Sequence, residues 1–253
     1  MSQIIRISEL RKVIVTTNLE LKLIRAKQHL KEIDKLLQAA WEPEPYIISR
    51  QDFPKKELHV IRIQSKPIPA GIEQILGDFA YCLRSGLDQL AWKLARLHVA
   101  CPRRATYFPI KDDPNAKWGD EVKDILPDAV DVIKSLQPYH RGGAYKTDPL
   151  WILNRLCTID KHRTVALRGT DMKVQVLGVK PEEWSFKHLD FGGEVRLDIR
   201  KRNKVEIKPH PMKLVVGEPV PNCYGFFELP VDELGSIPKY ISDEVVPKFS
   251  RFR

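Results

Sequence analysis

Apolar residues recur at three- and four-residue intervals from about residue 8 to residue 41, where Leu10, Ile14, Leu21, Ile24, Leu30, Ile33 and Leu37 are set among Lys and Glu. That period predicts a long helix, ended by Glu42-Pro43-Glu44-Pro45. Two β-favouring runs follow, 46–49 and 58–64, separated by Asp52-Phe53-Pro54-Lys55-Lys56. Their spacing suits a hairpin with a loose turn, closed by Pro67 and Pro69. The clearest pattern lies in 72–99, where Leu76, Phe79, Leu83, Leu87, Leu90, Leu94 and Leu97 make one continuous helical stripe.

Beyond Pro102 an extended piece, Thr106-Tyr107-Phe108-Pro109-Ile110, leads into a polar loop. A short helix is expected over 128–135. A longer one is expected over 150–167, after the loop Gln137-Pro138-Tyr139-His140-Arg141-Gly142-Gly143 and before Gly169. The texture then changes. Short β-like runs at 173–179, 194–199, 205–208, 213–216 and 224–229 are punctuated by Gly and Pro, predicting a small antiparallel sheet. Residues 237–249 read as a closing helix despite Pro238 and Pro247. The expected class is α+β: a helical bundle over 1–170 with a hairpin insert at 45–66, then a β-rich region with a terminal helix over 171–253.

Composition narrows the classes. With 253 residues, 43% of them hydrophobic, the chain can bury a core of ordinary size. Its net charge of +9 invites a polyanionic partner such as RNA without requiring one. The four cysteines, Cys82, Cys101, Cys157 and Cys223, are scattered with no CxxC pair, which fits neither a zinc ribbon nor a disulfide scaffold. No metal or cofactor is expected, and the P-loop, Rossmann, HExxH and GxSxG signatures are absent. No stretch approaches the ~18 apolar residues of a membrane span, and the first residues lack a signal-peptide core. A reducing, cytoplasmic setting is therefore expected.

Two helices carry more than a core stripe. In 72–99, stepping about 100° per residue sets the leucines within roughly 40° of one another and gathers Tyr81, Arg84, Ser85, Asp88 and Trp92 on the far side. Arg84 and Asp88 stand at i, i+4 and can pair. This second face meets another helix, another subunit or a ligand. In the helix of 150–167, Leu150, Leu153, Leu156, Cys157 and Leu167 define a stripe with Asp160 in its middle. A carboxylate aimed inward needs a cation or several donors, or must be neutral; Asp160 is expected to be largely buried and paired with Arg84 or with backbone donors. On that expectation Asp160→Ala costs about 3 to 5 kcal/mol. Arg155 and His162, seven residues apart, share a face opposite the stripe, beside Trp151.

The segments Gly77-Asp78-Phe79-Ala80-Tyr81-Cys82-Leu83-Arg84-Ser85-Gly86-Leu87-Asp88-Gln89-Leu90-Ala91-Trp92, Ser135-Leu136-Gln137-Pro138-Tyr139, and Leu150-Trp151-Ile152-Leu153 through Ile159-Asp160-Lys161-His162-Arg163 resemble a group of uncharacterised bacterial and phage-associated proteins. The resemblance covers roughly residues 70–165. The group's shape resembles HEPN domains, small helical bundles that include metal-independent ribonucleases and nucleotide-binding modules. HEPN nucleases carry Arg, four to six residues, then His, with a polar residue after the Arg. Arg84-Ser85 matches the start at the four-residue spacing, but Gln89 stands in place of His. Arg155 and His162 match both ends at the six-residue spacing, but Leu156 replaces the polar follower.

Two functions follow from these residues. The first is a HEPN-like interaction or dimerisation module without catalysis, in a phage-defence or toxin–antitoxin setting, in which Ser85, Asp88 and Asp160 serve structure. The alternative is a metal-independent ribonuclease or nucleic-acid-binding effector, with His162 shuttling a proton, Arg155 and Arg84 stabilising phosphorane charge, and a homodimer completing the site. The densest basic run, Arg196, Arg200, Lys201, Arg202, Lys204, Lys208 and Lys213 against Asp198 and Glu206, offers phosphate contacts but has no aromatic residue to stack bases. Any nucleic-acid affinity is expected to fall steeply between low and physiological salt, and to weaken when Arg200, Lys201 and Arg202 become Ser. A gel-shift salt titration checks both, and unchanged affinity in the triple variant would move the contact elsewhere.

Overall fold

Helix α1, Ile7–Trp41, runs uninterrupted to the Pro-rich stop that the sequence predicts. In this computed structural model the described residues are 7–42, 44–56, 58–162, 166–169, 174–177, 184–189, 192–198, 206–209, 214–217 and 228–252, with side chains chiefly within 18–161 and 229–252. The architecture is α+β and divides into two units. No helix among the described residues is long and apolar enough to cross a membrane.

One unit comprises Met1–Ile33, Gly71–Val165 and Asp232–Arg253. Its centre is α2, Ile72–Arg96, which begins after Gly71 at φ 93, a left-handed conformation that glycine adopts without a Cβ clash. Leu76, Phe79, Leu83, Leu87, Leu90 and Leu94 are buried, as the stripe predicts. On one side α1 packs through Leu19, Leu23, Ala26 and Ile33. Leu19 Cδ1 lies only 2.7 Å from where a side chain at Gly86 would begin, so that glycine sets the approach of the two helices.

Helix α4, Pro149–His162, lies antiparallel to α2, since Asn154 sits against Arg84, Cys157 against Ala80 and Asp160 against Gly77. Asp148 caps it: Oδ1 accepts the Leu150 N–H at 2.9 Å, while Arg141 Nε donates to Oδ2 at 2.6 Å. Pro149 in the first turn needs no N–H there. Helix α3, Pro127–Ser135, falls where expected, and the loop after it, Pro138–Thr147, forms two short 3₁₀ turns joined by a kink at Gly142, whose φ is 54. The closing helix forms as α5, Ser236–Tyr240, a π-helical turn, Ile241–Val245, and α6, Val246–Phe249. Its Ile237, Ile241, Val245 and Phe249 are buried.

The other unit comprises Asp34–Ala70 and Ala166–Val231. Strands β1, Tyr46–Phe53, and β2, Leu58–Ser65, form the expected hairpin. With β5, Trp184–Leu189, and β6, Gly192–Asp198, they make a four-stranded sheet of order β1-β2-β6-β5. Strands β3, Ala166–Gly169, β8, Leu214–Gly217, and β9, Glu228–Pro230, form a second sheet, and β4, Val174–Leu177, pairs with β7, Glu206–Pro209.

Three expectations are corrected. The hairpin is not an insert in the bundle but half of a sheet: β2 pairs with β6 from Leu58↔Asp198 to Gln64↔Gly192. An isolated hairpin is marginal, and further strands supply what it lacks. The terminal helix likewise belongs with the bundle, so the boundary at 170 does not separate the units. Third, α4 stops at His162, and Leu167 pairs with Val216 in a β-ladder. A few apolar residues past a helix end fit either period, and here the partner strand decides.

Gly86→Val is expected to destabilise the protein by about 1 to 3 kcal/mol, because the added methyls meet Leu19 in a packed seam. Urea denaturation of the variant checks this, and an unchanged midpoint would show that α1 yields freely.

Candidate functional site

The segment between α2 and α3 has neither helix nor strand over 101–126, so something other than a backbone ladder must hold it. Arg84 and Asp88 do. Arg84 Nε donates to Asp88 Oδ2 at 3.3 Å, and Nη2 lies 3.1 Å from Oδ1. The same Nη2 donates to the Phe108 carbonyl at 2.7 Å, while the Phe108 N–H donates to Asp88 Oδ1 at 3.1 Å. Both backbone groups of Phe108 are thus held by one ion pair. Its ring is fully buried and meets Phe249 edge-on at 6.4 Å. A second anchor is buried Gln137, whose Oε1 accepts the Lys111 N–H at 2.7 Å and whose Nε2 donates to the Pro109 and Ile133 carbonyls at 3.0 and 2.8 Å.

The far face of α2 is a groove against α4. Two adjoining hollows of about 340 and 380 Å³ share Arg84, Asp88, Cys157 and Lys161. The first adds Tyr81, Ser85, Gln89, Trp92 and Asp160, and the second adds Tyr107, Asn154 and Thr158. Tyr81 is 63% exposed and Trp92 39%. Lys22 of α1 lies 5.7 Å from the Tyr81 ring centre, and Arg84 lies at the same distance over Tyr107. Gln89 Nε2 donates to Ser85 Oγ at 3.4 Å, but Gln89 Oε1 is buried with no partner among the described residues.

Several of the groups lining the hollows are held by burial or by protein partners. Burial pushes the Cys157 thiol up to about 11, against the pull of Arg84 and Lys161, so it stays protonated at neutral pH and is a poor nucleophile. Its Sγ donates to the Ala80 carbonyl at 3.6 Å. Arg84 has a side chain only 14% exposed, and its donors are committed to Asp88, to Phe108 and, at 3.5 Å, to Asn154 Oδ1. Gln89 cannot shuttle protons near neutral pH. Among the described residues no group of His, Cys, Asp and Glu is placed to hold a metal ion.

The structure brings together Arg84, Ser85, Asp88 and Asp160 of the predicted site residues and adds Lys161. Arg84 and Asp88 pair as their spacing allows. Asp160 is a correction: it is exposed, and its carboxylate lies against Gly77 of α2 rather than paired with Arg84. The helix ends two residues later, so the middle of the stripe becomes the open end of the α2–α4 seam. Arg155 is half-buried and lines neither hollow. It stands about 100° round the helix from Asn154, on the neighbouring face. His162 is the last residue of α4, and its side chain lies outside the described residues, as do Arg200, Lys201, Arg202 and Lys204. Asn154, Thr158 and Lys161 escaped sequence reasoning although their i, i+4, i+7 spacing places them on one face with Cys157. The carbonyl of Phe108 left no sequence signal.

No known family, curated protein or solved structure matches the chain.

Arg84→Ala is expected to cost about 2 to 3 kcal/mol, since it strands a half-buried carboxylate and frees the Phe108 segment. Asp160→Ala is expected to fall within about 0.5 kcal/mol of the parent. Parallel thermal melts check the pair, and the reverse ranking would overturn this account of the seam.

Proposed function

We propose that the chain is a HEPN-like helical interaction module that acts without catalysis, and that its α2–α4 groove receives a segment of a protein partner. The phage-defence or toxin–antitoxin setting is what the resemblance of residues 70–165 implies. One observation carries the reading: the arginine of the better-placed motif is consumed in holding Phe108 to α2. A catalytic arginine has to meet developing phosphate charge. This one already has three acceptors, and Gln89 stands where the proton shuttle belongs.

The groove's charges support a peptide-like occupant. Arg84 and Lys161 are balanced by Asp88 and Asp160, so the hollow lacks the positive excess that a phosphate chain requires. Tyr81 and Trp92 offer rigid aromatic surface at the rim, a composition typical of binding hot spots. Gln89 Oε1 asks for an N–H donor. Lys161, with no partner among the described residues, asks for a carboxylate. Two copies meeting through this same face would set hollow against hollow and leave voids, which close-packed interfaces avoid.

The test is selection of short peptides from a random display library on the intact chain. Binders are expected to carry an aromatic or large aliphatic residue beside an acidic one, and to lose at least tenfold in affinity in Trp92→Ala and in Lys161→Glu. Binders indifferent to both variants would remove the groove from the reading. Metal-independent RNA cleavage that survives EDTA, leaves 2′,3′-cyclic phosphate ends and vanishes in His162→Ala would replace it with the ribonuclease.

A further inference from the structure

Helix α1 is apolar on two opposite sides. Leu19, Leu23, Ala26 and Ile33 are buried, yet Leu21 and Ile24 are 59% and 54% exposed. Stepping about 100° per residue from Leu19 keeps the buried set within roughly 40° of it and puts Leu21 and Ile24 about 200° and 140° away. The exposed pair is not a stray feature. Toward the start of the helix the same spacing continues through Thr17, Ile14, Leu10 and Ile7, alternating four and three residues. That is the a/d repeat of a coiled coil. Placing Ile7, Ile14 and Leu21 at a and Leu10, Thr17 and Ile24 at d carries the seam on to Gln28 and Lys31, where it turns polar.

We infer that this seam is where a second copy of the chain binds, through a short parallel two-stranded coiled coil of α1. The flanking charges select this occupant and direction. In a parallel pair each g residue faces the e residue of the following heptad on the other helix. Glu20 and Lys27 occupy g, while Arg25 and Glu32 occupy e. In-register pairing therefore joins Glu20 to Arg25 and Lys27 to Glu32 across the interface, each with opposite sign, and by symmetry twice. An antiparallel arrangement that keeps apolar layers together, with Leu10 opposite Leu21, brings neither ion pair into contact. Gln28 at an a position is a polar layer of the kind that fixes register. Within one chain Glu32 is 58% exposed and only 3.9 Å from His29, leaving it reachable.

The inference stands apart from the groove, which lies on α2 and α4. The full chain should sediment as a dimer at micromolar concentration. Leu21→Glu and Ile24→Glu should each weaken self-association about tenfold or more, since both side chains are exposed in the single chain and neither change disturbs its core. Glu20→Lys should weaken it through repulsion of Arg25, and the double swap with Arg25→Glu should restore it. In a background with Cys101 and Cys223 both changed to Ser, Gln28→Cys should form an interchain disulfide on oxidation, as a parallel in-register pair aligns that position with itself. A parent chain that stays monomeric at high micromolar concentration would overturn the inference while leaving peptide binding by the groove intact. So would a dimer indifferent to Leu21→Glu, or one in which Gln28→Cys fails to cross-link.

Discussion

The Arg84–Asp88 ion pair ties the irregular stretch of the helical unit to α2. Residues 101–126 have no ladder of their own, and a long segment without secondary structure inside a packed unit carries polar backbone groups that must be satisfied. Arg84 and Asp88 meet this need at Phe108 by taking both its N–H and its C=O. The fully buried Phe108 ring then reaches the closing helix at Phe249. An i, i+4 pair on an exposed helix face contributes only a few tenths of a kcal/mol. Here the pair is partly desolvated and shares its remaining lone pairs and protons with backbone, so removing one member leaves the others unsatisfied. Arg84 and Asp88 are therefore part of the architecture of this unit.

What was legible in the sequence was whatever depended on local period. The α2 stripe, the stop of α1 at Glu42-Pro43, the hairpin and even the closing helix around two prolines follow from neighbours within a turn or two. What was not legible depended on pairing across the chain. Nothing in residues 58–64 announces that Gly192–Asp198 will lie beside them, so the hairpin looked like an insert. β5 had a signal in the alternation of Trp184, Phe186 and His188, but six residues between turn-rich stretches are a weak one.

The site was legible by half, for the same reason. Tyr81, Arg84, Ser85, Asp88 and Trp92 share a face by helical arithmetic alone, and that face proved to be the groove. Asp160 lies mid-stripe only on a helix that reaches 167; α4 ends at His162, five residues earlier, which leaves the carboxylate in the last turn. Arg155 and His162 were selected by a motif spacing, whereas the α4 face that meets α2 is set by Asn154, Cys157, Thr158 and Lys161. Motif spacing tells which residues share a helix, and packing decides which of its faces has a neighbour.

The same distinction bears on the chain's charge. A net +9 suggests a polyanion, but net charge acts at long range and says little about a particular cleft. In the groove two cations face two carboxylates, and the partly buried Arg84 points its donors at protein acceptors. Catalysis of phosphoryl transfer depends on preorganised donors aimed at a vacancy where charge will develop. Donors already satisfied by protein must first be withdrawn, at a cost in both stability and barrier. A groove built this way gains most from an occupant that adds partners to the groups still open, Lys161, Gln89 Oε1 and the aromatic rim, and leaves the Arg84–Asp88 pair undisturbed. About three turns of α2 thus carry both sets of side chains, Tyr81, Gln89 and Trp92 lining the hollow and Arg84 and Asp88 holding Phe108.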